Sequence, residues 1–170
     1  WATPWYQQGV AGIATSAAGQ SFTYTRSHPP YTYLNLPANF AGRNVPDISM
    51  NADPESGYII QSSADGGLID GYGGTSFVAP QLNGIAALIT QANGGRIGFL
   101  APQLYRLLGQ YGYGANSPFR DITAGDNWGY NSAPGYDQAS GVGVPNVAQL
   151  SALLATPPAH SGGPGSGRGH

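Results

Sequence analysis

Gly73-Gly74-Thr75-Ser76-Phe77-Val78-Ala79-Pro80 is the stretch whose reading decides the fold of this chain. It opens a helical pattern expected to run from Ser76 to about Ala92, with Val78, Leu82, Ile85 and Ile89 at helical spacing. Phe77, Ala79, Ala86, Ala87 and Leu88 make most other faces apolar too, and a helix apolar nearly all round is expected to be buried. Pro80 falls in about the first turn, where its missing N–H costs little, and Asn93-Gly94-Gly95 supplies the stop. Ser76 therefore sits where unpaired N–H groups and the positive end of a helix dipole stabilise a developing oxyanion. Gly73 and Gly74 let backbone and substrate approach closely. Position alone leaves two readings open, a nucleophile or a plain N-cap.

Outward from this helix, strand-like runs occur at 10–15, 45–50 and 57–62. The Ala64-Asp65-Gly66-Gly67 turn before Leu68-Ile69 predicts that the last of these folds back as a hairpin. Shorter helices are expected at 102–108, opened by Pro102, and at 146–154, where Val147, Leu150 and Leu154 share a face. Strands mixed with a buried helix predict an α/β layered sandwich. Residues 157–170 are Gly-, Pro- and Ser-rich with nothing to bury, and are expected to form a flexible tail after a domain spanning 1–156.

Composition excludes several functions. Charged residues make up only 8% of the 170, the six basic residues are scattered arginines, and there is no lysine, so no basic face exists for nucleic acid. No apolar run reaches membrane-span length. The lack of Cys rules out disulfides and thiolate metal sites. So few ionisable groups bring little self-repulsion when carboxylates protonate, which is compatible with acidic surroundings. His160 and His170 lie in the tail, and His28, before Pro29-Pro30 in a Tyr-rich polar stretch, reads as a surface-loop residue. The chain begins at Trp1 without an initiator Met or a signal pattern, so a processed chain or fragment is expected, with any export signal upstream.

Gly-Thr-Ser followed by three residues and Pro resembles the nucleophile signature of the subtilisin-like fold. Subtilisins proper typically place His after that Pro, where Gln81 stands here. The sedolisin family of serine-carboxyl peptidases is a better match. It is similar in Gly73-Gly74-Thr75-Ser76, in Arg43-Asn44-Val45-Pro46-Asp47-Ile48-Ser49 with Ala52-Asp53-Pro54 and Gly57-Tyr58, and in a later Asp-rich loop, all in the family's order. The resemblance covers about residues 1–156, the C-terminal portion of that family's catalytic domain. It implies a subtilisin-like sandwich with a mixed or parallel sheet and a buried helix carrying the nucleophile, Ser76.

The later loop, Phe119-Arg120-Asp121-Ile122-Thr123-Ala124-Gly125-Asp126-Asn127 with Ala133-Pro134-Gly135-Tyr136-Asp137, resembles the family's calcium site. By that resemblance one Ca2+ takes carboxylates from Asp121 and Asp137 and carbonyl oxygens from Ile122, Ala133 and Gly135, a hard-oxygen set of the kind calcium prefers. Ala133 stands where the family usually has Gly. Asx turns without metal are the alternative. Asp47 and Asp53 lie in turn-prone stretches and read as carboxylates tying down local N–H groups.

The family's proton acceptor is a Glu hydrogen-bonded to an Asp one helical turn later, which keeps a base available in acid where His would be protonated. Glu55 is the only Glu here, and Ile59 stands four residues on. The family's oxyanion-hole Asp belongs to a Ser-Gly-Asp type motif, which this chain also lacks. The resemblance thus implies a secreted, acid-acting endopeptidase for protein or peptide substrates. Its missing N-terminal catalytic segment comes from upstream or from a second chain, and the chain alone is inactive. A tripeptidyl exopeptidase of the same family and a catalytically dead binding or structural module are the alternatives.

Overall fold

The computed structural model describes residues 1–26 and 28–155. The expected tail at 157–170, with His160 and His170, lies outside the described residues. A 3-10 turn at Trp5–Gln7 leads to the hairpin β1 (Gln20–Tyr24) and β2 (Tyr31–Leu36). A second hairpin, β3 (Tyr58–Ser62) with β4 (Gly67–Tyr72), runs into α1 (Thr75–Ala92). Then come α2 (Leu100–Tyr111), β5 (Phe119–Arg120), β6 (Val144–Pro145) and α3 (Val147–Ala155). The chain is α/β, as expected.

The core gathers Ile89, Leu104, Tyr105, Leu107, Phe119, Tyr136, Val142 and Leu150. α2 and α3 contribute because their apolar residues form a stripe, with Arg106, Gly109 and Gln110 left on the exposed side of α2. Asn146 opens α3: its side-chain oxygen accepts from Gln149 N (3.3 Å) and its carbonyl from Leu150 N (2.8 Å). Asn93 Nδ2 donates to Leu154 O (3.1 Å), joining the end of α1 to α3.

The second hairpin and all three expected helices form, with α2 starting two residues before and ending three residues after its expected bounds of 102–108. Other expectations need correction. The sheet is neither parallel nor mixed: among the described residues three separate two-stranded antiparallel ladders occur, so no single layered sheet is assembled. The helix carrying Ser76 is not a buried one, for within it only Ile89 is buried and Leu88 is 63% exposed. Its apolar surface runs all round, whereas among the described residues α3 and the β3–β4 hairpin cover only part of it.

Residues 10–15 are not a strand. Gly9 and Gly12 adopt positive φ, Val10 N and Ile13 N donate to the carbonyls three residues back, and the chain runs in successive turns. Residues 45–50 are not a strand either, because Pro46 offers no N–H. Only Asp47 O and Ser49 N pair across, with Val142 N (2.8 Å) and Gly143 O (3.1 Å). The polar stretch around His28 instead belongs to a hairpin, β1–β2, whose Thr and Tyr residues favour extended backbone. His28 itself is exposed between the two strands.

Candidate active site

Ser76 stands exposed in the first turn of α1. The helix start is made by backbone, not by a capping side chain. Gly74 occupies the N-cap at φ +97° with no side-chain cap bond, its N–H donates to Ala52 O (2.5 Å), and its carbonyl accepts from Phe77 N (3.0 Å). A Cβ on Gly73 would lie 2.6 Å from Ala52 O and Pro54 N, and one on Gly57 would lie 2.1 Å from Tyr72 O. Segments 52–57 and 72–74 therefore touch backbone to backbone, which only glycine permits. Two motifs separated in sequence are one structural unit.

The β3–β4 hairpin braces the same turn. The Tyr58 ring stacks on Phe77 with centroids 5.0 Å apart and planes 8° from parallel. Gln81 Nε2 donates to Tyr58 Oη (2.8 Å) and to Phe77 O (3.0 Å), and the Tyr58 hydroxyl donates to Asn51 O (2.8 Å). Gln81, which stands where subtilisins carry His, is thus committed to this brace. Among the described residues no side chain hydrogen-bonds the Ser76 hydroxyl. Glu55 is exposed in the turn after Asp53, whose Oδ1 accepts Glu55 N (3.0 Å), the local role expected of Asp53.

Of the loop residues Asp121, Ile122, Ala133, Gly135 and Asp137, the structure joins Asp121 to Gly135 and Asp137 to Ala133, while Ile122 is half-buried beside Asp121 in sequence. Asp121 Oδ2 accepts from Gly135 N and Asp137 Oδ2 from Ala133 N, both at 2.8 Å, so the two carboxylates grip one turn. Asp137, which is buried, also accepts through Oδ1 from Ala139 N (2.9 Å), Ser140 N (2.7 Å) and Ser140 Oγ (3.1 Å). Asp121 Oδ1 is buried with no hydrogen-bond partner among the described residues. Burial first, and then the charges of Asp121 and Asp137, push the neighbouring Tyr113 hydroxyl up to about 12. Among the described residues no three His, Cys, Asp or Glu side chains cluster.

A buried polar network escaped the sequence reading. Gln7 Nε2 donates to Asn44 O (2.8 Å) and Tyr105 Oη (2.7 Å), while Gln7 Oε1 accepts from Asn44 N (3.0 Å). Asn44 Oδ1 accepts from Ala14 N (3.0 Å) and Gln138 Nε2 (2.9 Å). Asp47 accepts from Tyr105 Oη (2.9 Å) and from Arg43 Nη2 (2.5 Å). Its carboxylate thus ties down the Arg43 guanidinium four residues away and also bonds across the fold to Tyr105. The i,i+4 spacing of Arg43 and Asp47 was the one legible signal. A cavity of about 460 Å³ opens beside Trp5, Tyr6, Tyr105, Arg106 and Tyr136, and a second of about 580 Å³ beside Ala2, Gln7 and Ile13. Neither borders Ser76. No helix among the described residues is long and apolar enough to cross a membrane.

Comparison with known proteins bears on these units. The chain is 38% identical to kumamolisin of Bacillus sp. (strain MN-32) over 125 residues, which is 69% of this chain and 21% of that protein. It is 29% identical to sedolisin of Pseudomonas sp. (strain 101) over 81% of this chain and 23% of that protein. Human tripeptidyl-peptidase 1 is 33% identical over 76% of this chain and 23% of its own length. No family model matches the chain. It spans about a fifth of the length of these relatives.

Proposed function

We propose a function from one premise: this chain belongs to the sedolisin family of peptidases. It is the C-terminal part of an acid-acting serine-carboxyl peptidase domain, and Ser76 is the nucleophile. The observation that carries this reading is the exposed Ser76 in the first turn of an 18-residue helix, held by the glycine contacts of the 52–57 segment. Ser76 Oγ attacks the scissile carbonyl, and its proton passes to a carboxylate base from an upstream segment or a second chain. The C–N bond then breaks as the leaving amine takes that proton, giving an acyl-enzyme on Ser76. Water, deprotonated by the same base, releases the acid and restores the hydroxyl. A carboxylate stays ionised in acid where an imidazole is protonated, so the enzyme works at low pH.

The test joins residues 1–170 to the missing N-terminal part and assays an unfolded protein between about pH 3 and 5, where a carboxylate of ordinary pKa still ionises. Activity appears only in the combination, and Ser76→Ala lowers it by several orders of magnitude. Activity from the 170-residue chain alone, surviving Ser76→Ala, would sink the reading. Likeness to human tripeptidyl-peptidase 1 keeps a tripeptide-releasing enzyme as the second reading, distinguished by product lengths. A binding module that kept the fold without chemistry is the third. It requires that no Glu-x-x-x-Asp helix be encoded upstream.

The Asp121–Asp137 loop fits a calcium ion. Its donors are hard oxygens, and Asp121 Oδ1 is a buried carboxylate oxygen that no donor among the described residues satisfies. Asp121 and Asp137 carboxylates with the carbonyls of Ile122, Ala133 and Gly135 would hold it. When bound, calcium supplies positive charge that offsets the two carboxylates and ties residues 121–137 together. In the complete protein, calcium raises the melting temperature at pH 6, and the gain shrinks in acid, where protons compete for the carboxylates. Asp137→Ala removes the response. A melting temperature indifferent to chelator at pH 6 would exclude the ion.

A further inference from the structure

The helix that presents Ser76 begins poorly. Gly74 at its N-cap offers no side-chain oxygen, no acidic residue lies in its first turn, and Thr75, Phe77 and Val78 are indifferent helix formers. Such an end frays when isolated, because its first four N–H groups lack intrahelical partners. An exposed hydroxyl on a fraying turn visits many positions, whereas attack on a carbonyl requires one. Something outside the helix must hold this turn.

Tyr58 is the side chain placed to do so. Its ring lies flat against Phe77, the residue that follows Ser76. Its hydroxyl accepts from Gln81, whose amide also closes on Phe77 O, and donates to Asn51 O in the segment beneath Gly74. The stack holds the turn through the Phe77 ring, and the hydrogen bonds hold it through the Phe77 carbonyl and the Gln81 amide. Tyr72, 6.3 Å from Phe77 with its ring tilted at 53°, adds a looser ring contact.

We infer that Tyr58, working through Phe77 and Gln81, is a positioning residue that holds the Ser76 hydroxyl where it can attack. The inference rests on Ser76 being the nucleophile. It assigns Tyr58 no contact with substrate and no proton to move.

The experiment uses the complete protein, active-site titration with a serine-directed fluorophosphonate, and a peptide substrate. Tyr58→Leu removes stack and hydroxyl, and lowers kcat per titrated site about tenfold or more while KM stays within about twofold. Tyr58→Phe keeps the stack and costs about threefold in kcat. Gln81→Met costs a similar factor, and the double variant costs less than the product of the two, because both remove one shared hydrogen bond. Hydrogen exchange at the amides of Phe77 and Val78 quickens in the same order. A purely structural role for Tyr58 would reduce the titratable fraction and the melting temperature with kcat per site unchanged, and that result overturns the inference. If Tyr58→Leu does not fold, the Tyr58→Phe and Gln81→Met pair decides in the same way. Activity surviving Ser76→Ala would instead remove the nucleophile assignment, an outcome separate from failure of the brace.

Discussion

α1 and α2 are both largely apolar helices, yet α2 buries Ala101, Leu104, Tyr105 and Leu107 while α1 buries only Ile89. The difference lies in how their apolar residues are arranged. In α2 they make one stripe, so a single packed side, formed with the 3-10 turn and Tyr136, satisfies the helix. In α1 they point nearly all round, and cover on one side leaves the others open. Hydrophobic burial stabilises only what a neighbour can reach. The candidate metal loop is therefore flanked by buried core residues, Phe119, Tyr136 and Val142, whereas the turn that carries Ser76 is held by backbone contacts and the Tyr58 brace.

The largest expected effect sets the two helices side by side. In the 170-residue chain Leu107→Ala, at a site 1% exposed, costs about 2–5 kcal/mol, whereas Leu88→Ala costs within about 0.5 kcal/mol. Urea titration of both variants checks this, and equal costs would break the contrast. Next comes Gln7→Leu, which leaves Asn44 N and one acceptor of Tyr105 without their partner and costs about 1–3 kcal/mol. A loss no larger than that of Leu88→Ala would mean the buried network does not anchor the fold.

The smallest effect is at alkaline pH. Burial is the main cause that pushes the Tyr136 hydroxyl up to about 12, and it pushes Tyr105 higher still. A group whose pKa is raised on folding contributes stability below its unfolded value, near 10 for Tyr. That contribution is lost as pH rises through the folded value. Melting temperatures should fall between about pH 10 and 12, and Tyr136→Phe should flatten part of that fall. An unchanged slope in the variant would place the sensitivity elsewhere.

By itself the sequence determined the local structure around Ser76. The period of Val78, Leu82, Ile85 and Ile89, the Asn93-Gly94-Gly95 stop and the turn at 64–67 each act through neighbours a few residues away, so they could be read in order. The order of its motifs also placed the chain in its family. Other features depend on residues far apart, and only the tertiary structure decided them. Gly73 and Gly57 become necessary because backbone from another segment crosses within 2.6 Å and 2.1 Å of where a Cβ would stand. Asp47 finds Tyr105 across 58 positions, and Gln7 finds Asn44 across 37. Periodicity declares that a surface is apolar; whether it is buried depends on which other segments arrive to cover it. Residues 45–50 carry an extended, apolar pattern and still form no strand, because Pro46 lacks the N–H and, among the described residues, only Asp47 O and Ser49 N pair with backbone of another segment. Ser76 shows both halves of the argument. Its place at a helix start was legible, and what holds that start in position was not, because the Tyr58 ring, the Gln81 amide and the Ala52 carbonyl converge there only once the chain has folded.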